Sequence, residues 1–352
     1  MSSSGAKPPL KLLALDGGGI RGLSELLIIR EIMHRLMIEE NKERKSNGQP
    51  PLTSLPKPCD YFDLIGGTST GGIIALMLGR LRMDVDSAID AYNTLAQQVF
   101  SDPKRWPGDG RFRATKLKDV IKSVVQRVTG DPEELLLEVG DATGCRTFVC
   151  ARNAFNMNAN IPVLFRSYQS LETHLGCKVW EAARATSAAP TFFKRIEIGN
   201  KQPFIDGGLG CNNPSNLVLD EAKVVFPTHP LGCLVSIGTG QAEVISIRKP
   251  GYFQQIIPTD VIEVLKQIST DCEATHEALS RRFANFPNIY FRMNVEQGMQ
   301  DIKLSEWDKM ANVEAHTMQY LRREEVDKKL NLVITAIKSP KEQLMIEQLG
   351  ME

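Results

Sequence analysis

The sequence predicts an α/β fold, a mainly parallel sheet covered by helices on both faces. Short apolar runs recur at 10–15, 61–65, 145–149, 162–165, 203–205 and 231–237, and stretches of helical periodicity alternate with them. Continuous apolar runs are the mark of strands buried on both faces, which parallel strands flanked by helices must be. The first two runs also end in glycine-rich turns that open helices, as strand-to-helix connections do.

In chain order, a polar leader over residues 1–9 precedes the first strand. Leu23, Leu26, Leu27, Ile29, Ile32, Met33, Leu36 and Met37 then recur at helical spacing, predicting a helix from Leu23 to Ile38. A polar, proline-bearing loop follows over 41–57. After the second strand come helices at 73–78, 85–100 and 116–128, with a basic loop bearing Trp106 at 103–113. The four remaining runs read as strands, although runs this short are also compatible with helix. Helices fill 260–283 and 305–347. No internal repeat or linker divides the chain, so one domain over 10–300 is expected, with a helical extension over 301–352 packed on it or following it.

Composition excludes several function classes. Lys plus Arg equals Asp plus Glu at 42 each, so no charge excess argues for nucleic acid. Seven scattered cysteines without C-x-x-C spacing fit reduced thiols in a cytoplasmic protein better than a disulfide framework or a zinc site. The first residues have no apolar core of a signal peptide, and no segment approaches 18 apolar residues. No carboxylate cluster has calcium-loop spacing, so neither a metal nor another cofactor is expected.

Gly67-Thr68-Ser69-Thr70-Gly71 carries the most chemistry. It lies between an apolar strand and an apolar helix, where a serine at the tip of a sharp turn projects its hydroxyl outward. Gly67 and Gly71 let the backbone bend. Asp16-Gly17-Gly18-Gly19-Ile20-Arg21-Gly22 ends the first strand and opens the first long helix. Successive glycine amides there can point into one concavity and hold the oxyanion of an acyl-transfer intermediate. The same letters match a dinucleotide fingerprint, but a Rossmann unit needs its second strand and acid within about 30 residues, and here a long polar loop intervenes. Arg21 supports this loop or a lipid phosphate, or forms a salt bridge that fixes the turn.

Asp206-Gly207-Gly208 ends another strand. A carboxylate there, with two glycines permitting close approach, suits a general base, although a free aspartate near pKa 3.9 needs burial to be effective at neutral pH.

These three loops, in this order, closely resemble those of the patatin-like phospholipases, fungal-type domains among them. The resemblance extends through Trp180-Glu181-Ala182-Ala183-Arg184-Ala185-Thr186-Ser187-Ala188-Ala189-Pro190-Thr191-Phe192-Phe193, Asn212-Asn213-Pro214 and Ser236-Ile237-Gly238-Thr239-Gly240. It implies a three-layer α/β/α sandwich and a lipid acyl hydrolase with a histidine-free dyad. Ser69 would be nucleophile, Asp206 base, and the amides of Gly17, Gly18 and Gly19 the oxyanion hole, with Gly207 and Gly208 in support. Phospholipid or another acyl ester would be the substrate, and the domain could be part of a larger signalling protein.

Two rivals remain to be weighed. A Ser-His-Asp triad of the α/β-hydrolase type would use Ser69, Asp206 and one of His229, His276 or His316, none of which stands in a glycine turn; His34 and His174 are no better placed. A non-catalytic interaction module would need neither Ser69 nor Asp206. Finally, Lys104, Arg105, Arg111, Arg113, Lys116 and Lys118 face only Asp109 within 104–118, with Trp106 and Phe112 interleaved, a pattern suited to peripheral contact with an anionic membrane. The bland alternative is a solvated loop. The sequence leaves the oligomeric state open.

Overall fold

The computed structural model describes residues 7–104, 110–138, 144–156, 161–170, 176–241, 272–340 and 344–346. Nine strands among them form one sheet: β1 (Leu10–Leu15), β2 (Leu64–Thr68), β3 (Arg146–Asn153), β4 (Val163–Arg166), β5 (Ile196–Ile198), β6 (Gln202–Asp206), β7 (Pro230–Ile237), β8 (Tyr290–Met293) and β9 (Leu344–Met345). The central order β3-β2-β1-β7-β8 is parallel throughout. Beyond it the pairing reverses: β4 and β6 both run antiparallel to β3, β5 to β6, and β9 to β7.

The strands alternate their side chains between two apolar layers, which makes the sandwich three layers thick. Leu13 and Leu15 of β1, Ile65 of β2 and Val149 of β3 face the larger layer. It contains α1 (Leu23–Ser46), α2 (Ser69–Ala75), α3 (Val85–Phe100), α4 (Ala114–Thr129) and α5 (Val179–Thr186). Leu12, Leu64 and Phe148 face the other, built on α7 (Ser215–Val225) and α8 (Glu273–Arg282), while α6 (Gly208–Cys211) is a kinked turn. The helices α9 (Met310–Leu321) and α10 (Glu324–Lys338) join the larger layer, with Val313, Tyr320, Leu330 and Val333 in the same cluster as Leu26 and Ile29 of α1.

Several boundaries differ from the sequence reading for identifiable reasons. Helix α1 runs on to Ser46, because Glu39–Lys42 and Glu40–Arg44 pairs support its polar end before Gly48 turns left-handed at φ 69°. Strand β2 starts at Leu64 and passes through Gly66 and Gly67, since neighbouring atoms fill the space their side chains would take: a methyl on Gly66 would lie 2.5 Å from the Phe148 ring, and one on Gly67 would meet the backbone of Gly71. The 305–347 stretch divides into α9 and α10, and Leu344–Met345 is a strand. Strands β5 and β8 were not foreseen; each is short, and β8 carries Arg292 in mid-strand. Of the helix expected at 260–283, the part before 272 lies outside the described residues. All seven cysteines are free thiols.

Candidate active site

The register of the sheet brings the two candidate side chains to one level. Thr68 of β2 pairs with Cys150 of β3, so the next residue, Ser69, falls beside Ala151. Ala151 in turn pairs with Asp206 of β6. Ala151 also pairs with Val163 of β4, so β6 lies on the same side of β3 as β2 and meets it end to end, which brings Ser69 and Asp206 together.

That turn is strained at the serine. Ser69 has φ 55°, in the left-handed region that L-residues rarely occupy. Two glycines make it possible. A methyl on Gly67 would sit 2.3 Å from the Gly71 carbonyl oxygen, and one on Gly71 would sit 2.3 Å from that of Asp16 at the end of β1. The Ser69 N–H is held by Thr186 Oγ1 of α5 at 2.9 Å. The Ser69 hydroxyl donates to Asp206 Oδ2 at 2.7 Å, and the Gly208 N–H donates to Asp206 Oδ1 at 2.7 Å. Asp206 is buried, and burial pushes its carboxyl up to about 6, against the two hydrogen bonds that favour the anion. It is thus a base poised near neutrality.

The glycine loop lies against the serine: a methyl on Gly17 would come within 3.0 Å of Ser69 Cβ. Its peptides are oriented one by one. The Gly17 N–H donates to the Asn212 carbonyl at 3.1 Å and so points away from open space. The Gly17 carbonyl accepts from Thr239 Oγ1 at 3.1 Å and Asn212 Nδ2 at 3.3 Å, which turns the Gly18 N–H the opposite way, since N–H and C=O are opposed in a trans peptide. That N–H reaches Thr70 Oγ1 at 3.1 Å. The Gly18 carbonyl accepts the Arg21 N–H at 3.2 Å and Arg21 Nε at 3.5 Å, which leaves the Gly19 N–H facing away from Arg21. Gly19 has φ 58°, and its carbonyl accepts from the buried Tyr92 hydroxyl. Arg21 therefore holds the loop through a carbonyl; it makes no ion pair among the described residues.

Beneath the loop is a buried charge network that sequence reasoning missed. Arg292 donates to Asp16 Oδ2 at 2.6 Å and to Ser236 Oγ at 2.9 Å, and the Asp16 N–H donates to Glu25 Oε1 at 2.7 Å. Burial, then the nearby Asp16 charge, pushes the Glu25 carboxyl well above its ordinary value. Arg292 stands between apolar neighbours in Tyr290-Phe291-Arg292-Met293. A lone charge in a buried strand is the signal that could have revealed it. Thr186, Asn212 and Thr239 lie within the stretches that carry the family resemblance, but nothing in their spacing assigns them a task.

The histidines are elsewhere. His229 precedes β7 at the end of the sheet opposite Ser69, against Phe226. His276 bonds the Tyr290 hydroxyl at 3.1 Å, and His316 packs against Gly298. His34 lines a polar cavity of about 650 Å³ between α1 and α10, which includes no candidate site residue; His174 lies outside the described residues. No group of three metal-ligating side chains occurs among the described residues.

The basic loop differs from its sequence reading. Phe112 is 1% exposed and packs edge-on to Phe100, so it is a core residue and no membrane-facing ring. Arg113 and Lys116 both pair with Asp102, an acid that lies just before the 104–118 segment. Arg105, Trp106 and Asp109 lie outside the described residues.

Fold and site together define an α/β/α sandwich with a serine elbow, a buried aspartate and a glycine loop converging at the carboxyl ends of its parallel strands. Residues 13–219 match the model of the patatin-like phospholipase family, and the chain belongs to that family. It is 30% identical to human calcium-independent phospholipase A2-gamma over 90% of its own length and 38% of that protein's. It is 27% identical to phospholipase A I of Arabidopsis thaliana over 86% of its length and 26% of that protein's. The chain thus spans about two fifths or less of these curated relatives. The solved structure of VipD from Legionella pneumophila covers 90% of the chain at 12% identity with a TM-score of 0.38.

Proposed function

We propose that this protein is a serine acyl hydrolase acting on phospholipid or lysophospholipid esters through a Ser69–Asp206 dyad. The observation that carries this reading is the 2.7 Å hydrogen bond from a strained-elbow serine to a buried aspartate of raised pKa. Asp206 takes the Ser69 proton as Oγ attacks the ester carbonyl, and the resulting oxyanion is held by the N–H groups of the glycine loop. Collapse expels the lysolipid or alcohol, which takes the proton back from Asp206, and leaves an acyl-Ser69 ester. Water, deprotonated by Asp206, then attacks that ester and releases the fatty acid.

Within the loop the three glycines divide the work. Gly18 and Gly19 N–H are the donors for the oxyanion, and Gly17, whose N–H is bound to Asn212, sets the orientation of its successor. For Gly18 to serve, its N–H must leave Thr70 Oγ1, so the oxyanion replaces a neutral hydroxyl with a stronger, charged acceptor. The relatives named as phospholipases support the substrate class. A triad reading has no matching observation, because no described histidine bonds Asp206 or Ser69.

Acyl release from phospholipid vesicles with and without chelator, comparing the parent with Ser69→Ala and Asp206→Asn, tests the proposal. Each substitution should abolish release; loss of a serine in such a unit costs on the order of a millionfold. Retention of more than a few per cent activity in a folded variant would rule out the dyad. Fluorophosphonate labelling that depends on Ser69 separates a hydrolase from a binding module.

A further inference from the structure

Between Arg152 and Arg166 no residue is charged, a run of thirteen positions in a chain of which 24% is charged. This run leaves the sheet at the end of β3 and returns through β4. Phe155 in it is 75% exposed and Ile161 70% exposed. Among the described residues Phe155 is the one exposed aromatic ring. The polar side chains of this run, Asn153, Asn156, Asn158 and Asn160, are all uncharged, so Phe155 and Ile161 face outward with no ionic neighbour within the run.

The sheet register locates them. Phe155 lies four residues beyond Ala151, the partner of Asp206, and Ile161 lies two residues before Val163, also a partner of Ala151. Both are therefore past the level of the dyad, by up to roughly 13 Å for Phe155 at about 3.3 Å per residue. They stand on the side where Ser69 and the glycine loop also lie. The Ala154 N–H donates to the Pro203 carbonyl at 2.8 Å, and the Phe155 N–H donates to Asn153 Oδ1 at 2.9 Å. The backbone that presents Phe155 is thus held by the sheet.

We propose that Phe155 and Ile161 form an apolar docking edge that enters the headgroup and upper acyl region of an uncharged or zwitterionic lipid surface, at the end of the sheet where Ser69 lies. The inference rests on the lipid-ester reading of the site, since a substrate drawn from a bilayer must reach Ser69 from that side. The absence of charge in the run matters twice: the run itself brings no ionic side chain to be desolvated at the interface, and it adds no Coulombic attraction for salt to screen. The basic loop at 104–118 fits this role less well, because Phe112 is turned inward and Asp102 pairs two of its cations.

The test uses the full chain carrying Ser69→Ala, so that binding is read without turnover. Co-sedimentation with phosphatidylcholine vesicles should be nearly independent of salt. Phe155→Ala with Ile161→Ala should weaken it at least about tenfold, the loss expected when one or two large apolar groups no longer leave water. Phe155→Trp should show blue-shifted emission on vesicles and quenching by brominated lipid. The proposal is overturned if the parent does not bind these vesicles, if parent and double variant bind equally, or if the tryptophan is not quenched. It is also overturned if the edge proves to join two copies, seen as a dimer of the parent that the double variant loses with vesicle binding unchanged. With Ser69 intact, the double variant should hydrolyse a monomeric short-chain ester like the parent. If Ser69→Ala keeps that turnover, the hydrolase reading fails while the vesicle measurements still decide the docking edge.

Discussion

In the proposed dyad, one proton on Asp206 would link catalysis and stability. Its carboxyl titrates near 3.8 in an unfolded chain and near 6 in the buried site, so the folded state binds the proton more tightly. The base must be ionised to accept the Ser69 proton, so kcat/KM for a neutral ester should rise with pH through about 6 and level above it. A profile flat from pH 5 to 8 would remove Asp206 as the base. Stability runs the other way. The cost of the buried anion is absent below about pH 3.8, grows between the two values and is complete above about 6, amounting to about 3 kcal/mol for two units. Asp206→Asn removes that charge, so the inactive variant should melt at a higher temperature than the parent at pH 8, with the difference vanishing near pH 4. A lower melting point at pH 8 would mean that the lost hydrogen bonds outweigh the relieved burial.

Under the same proposal, Thr239 would act from one peptide away. Its hydroxyl holds the Gly17 carbonyl, and through it the direction of the Gly18 N–H. Thr239→Val, which keeps the shape and loses the donor, should lower kcat by roughly tenfold to a hundredfold with little change in KM, whereas Thr239→Ser should restore it; removing an oxyanion donor outright costs about a hundredfold or more. Equal kcat in both variants, measured on a monomeric ester, would show that Asn212 alone suffices to orient the peptide.

At the scale of the element, the elbow and the glycine loop are two strand-to-helix connections that share space. Gly71 of α2 lies against the Asp16 carbonyl at the end of β1, and a methyl there has no room to move because the obstructing atoms are backbone. Gly71→Ala should therefore separate the loop from the elbow, lowering both turnover and melting temperature. Gly18→Ala differs: the added methyl would overlap Thr239, a side chain that can turn, and in doing so it breaks the Gly17 clamp. The expected result for Gly18→Ala is a folded protein with turnover reduced more than about a hundredfold, checked by circular dichroism beside the ester assay. Unchanged turnover would return the loop to a structural role.

Across the whole molecule, the described residues after 300 belong to the same packed body as the site. The Leu304 carbonyl accepts the Ile20 N–H at 2.9 Å, so the C-terminal region touches the glycine loop directly, and α9 and α10 bury their apolar faces on α1. Truncation after residue 300 would expose Leu26, Ile29 and their neighbours on α1. Such a chain should fail to unfold cooperatively and should be cleaved rapidly by protease. A truncated form with a sharp melting transition would show that residues 10–300 fold alone.

The chemistry proposed for this protein was legible in short local patterns. Ser69 and Asp206 each stand where a strand runs into glycines, and the need for a bend and a close approach is visible in the letters themselves. The parallel centre was legible for a similar reason: strands buried on both faces must be apolar throughout. What the sequence left open depends on contacts between distant residues. Nothing near Asp206 says that β6 runs antiparallel to β3, yet that register sets it level with Ser69. Arg292 reaches Asp16 only because β8 and β1 both flank β7. Phe112, an apolar residue among cations, reads the same whether it faces lipid or core. Only the packing of Phe100 and Phe193 around it decided for the core, because burial is a property of neighbours that local sequence does not name.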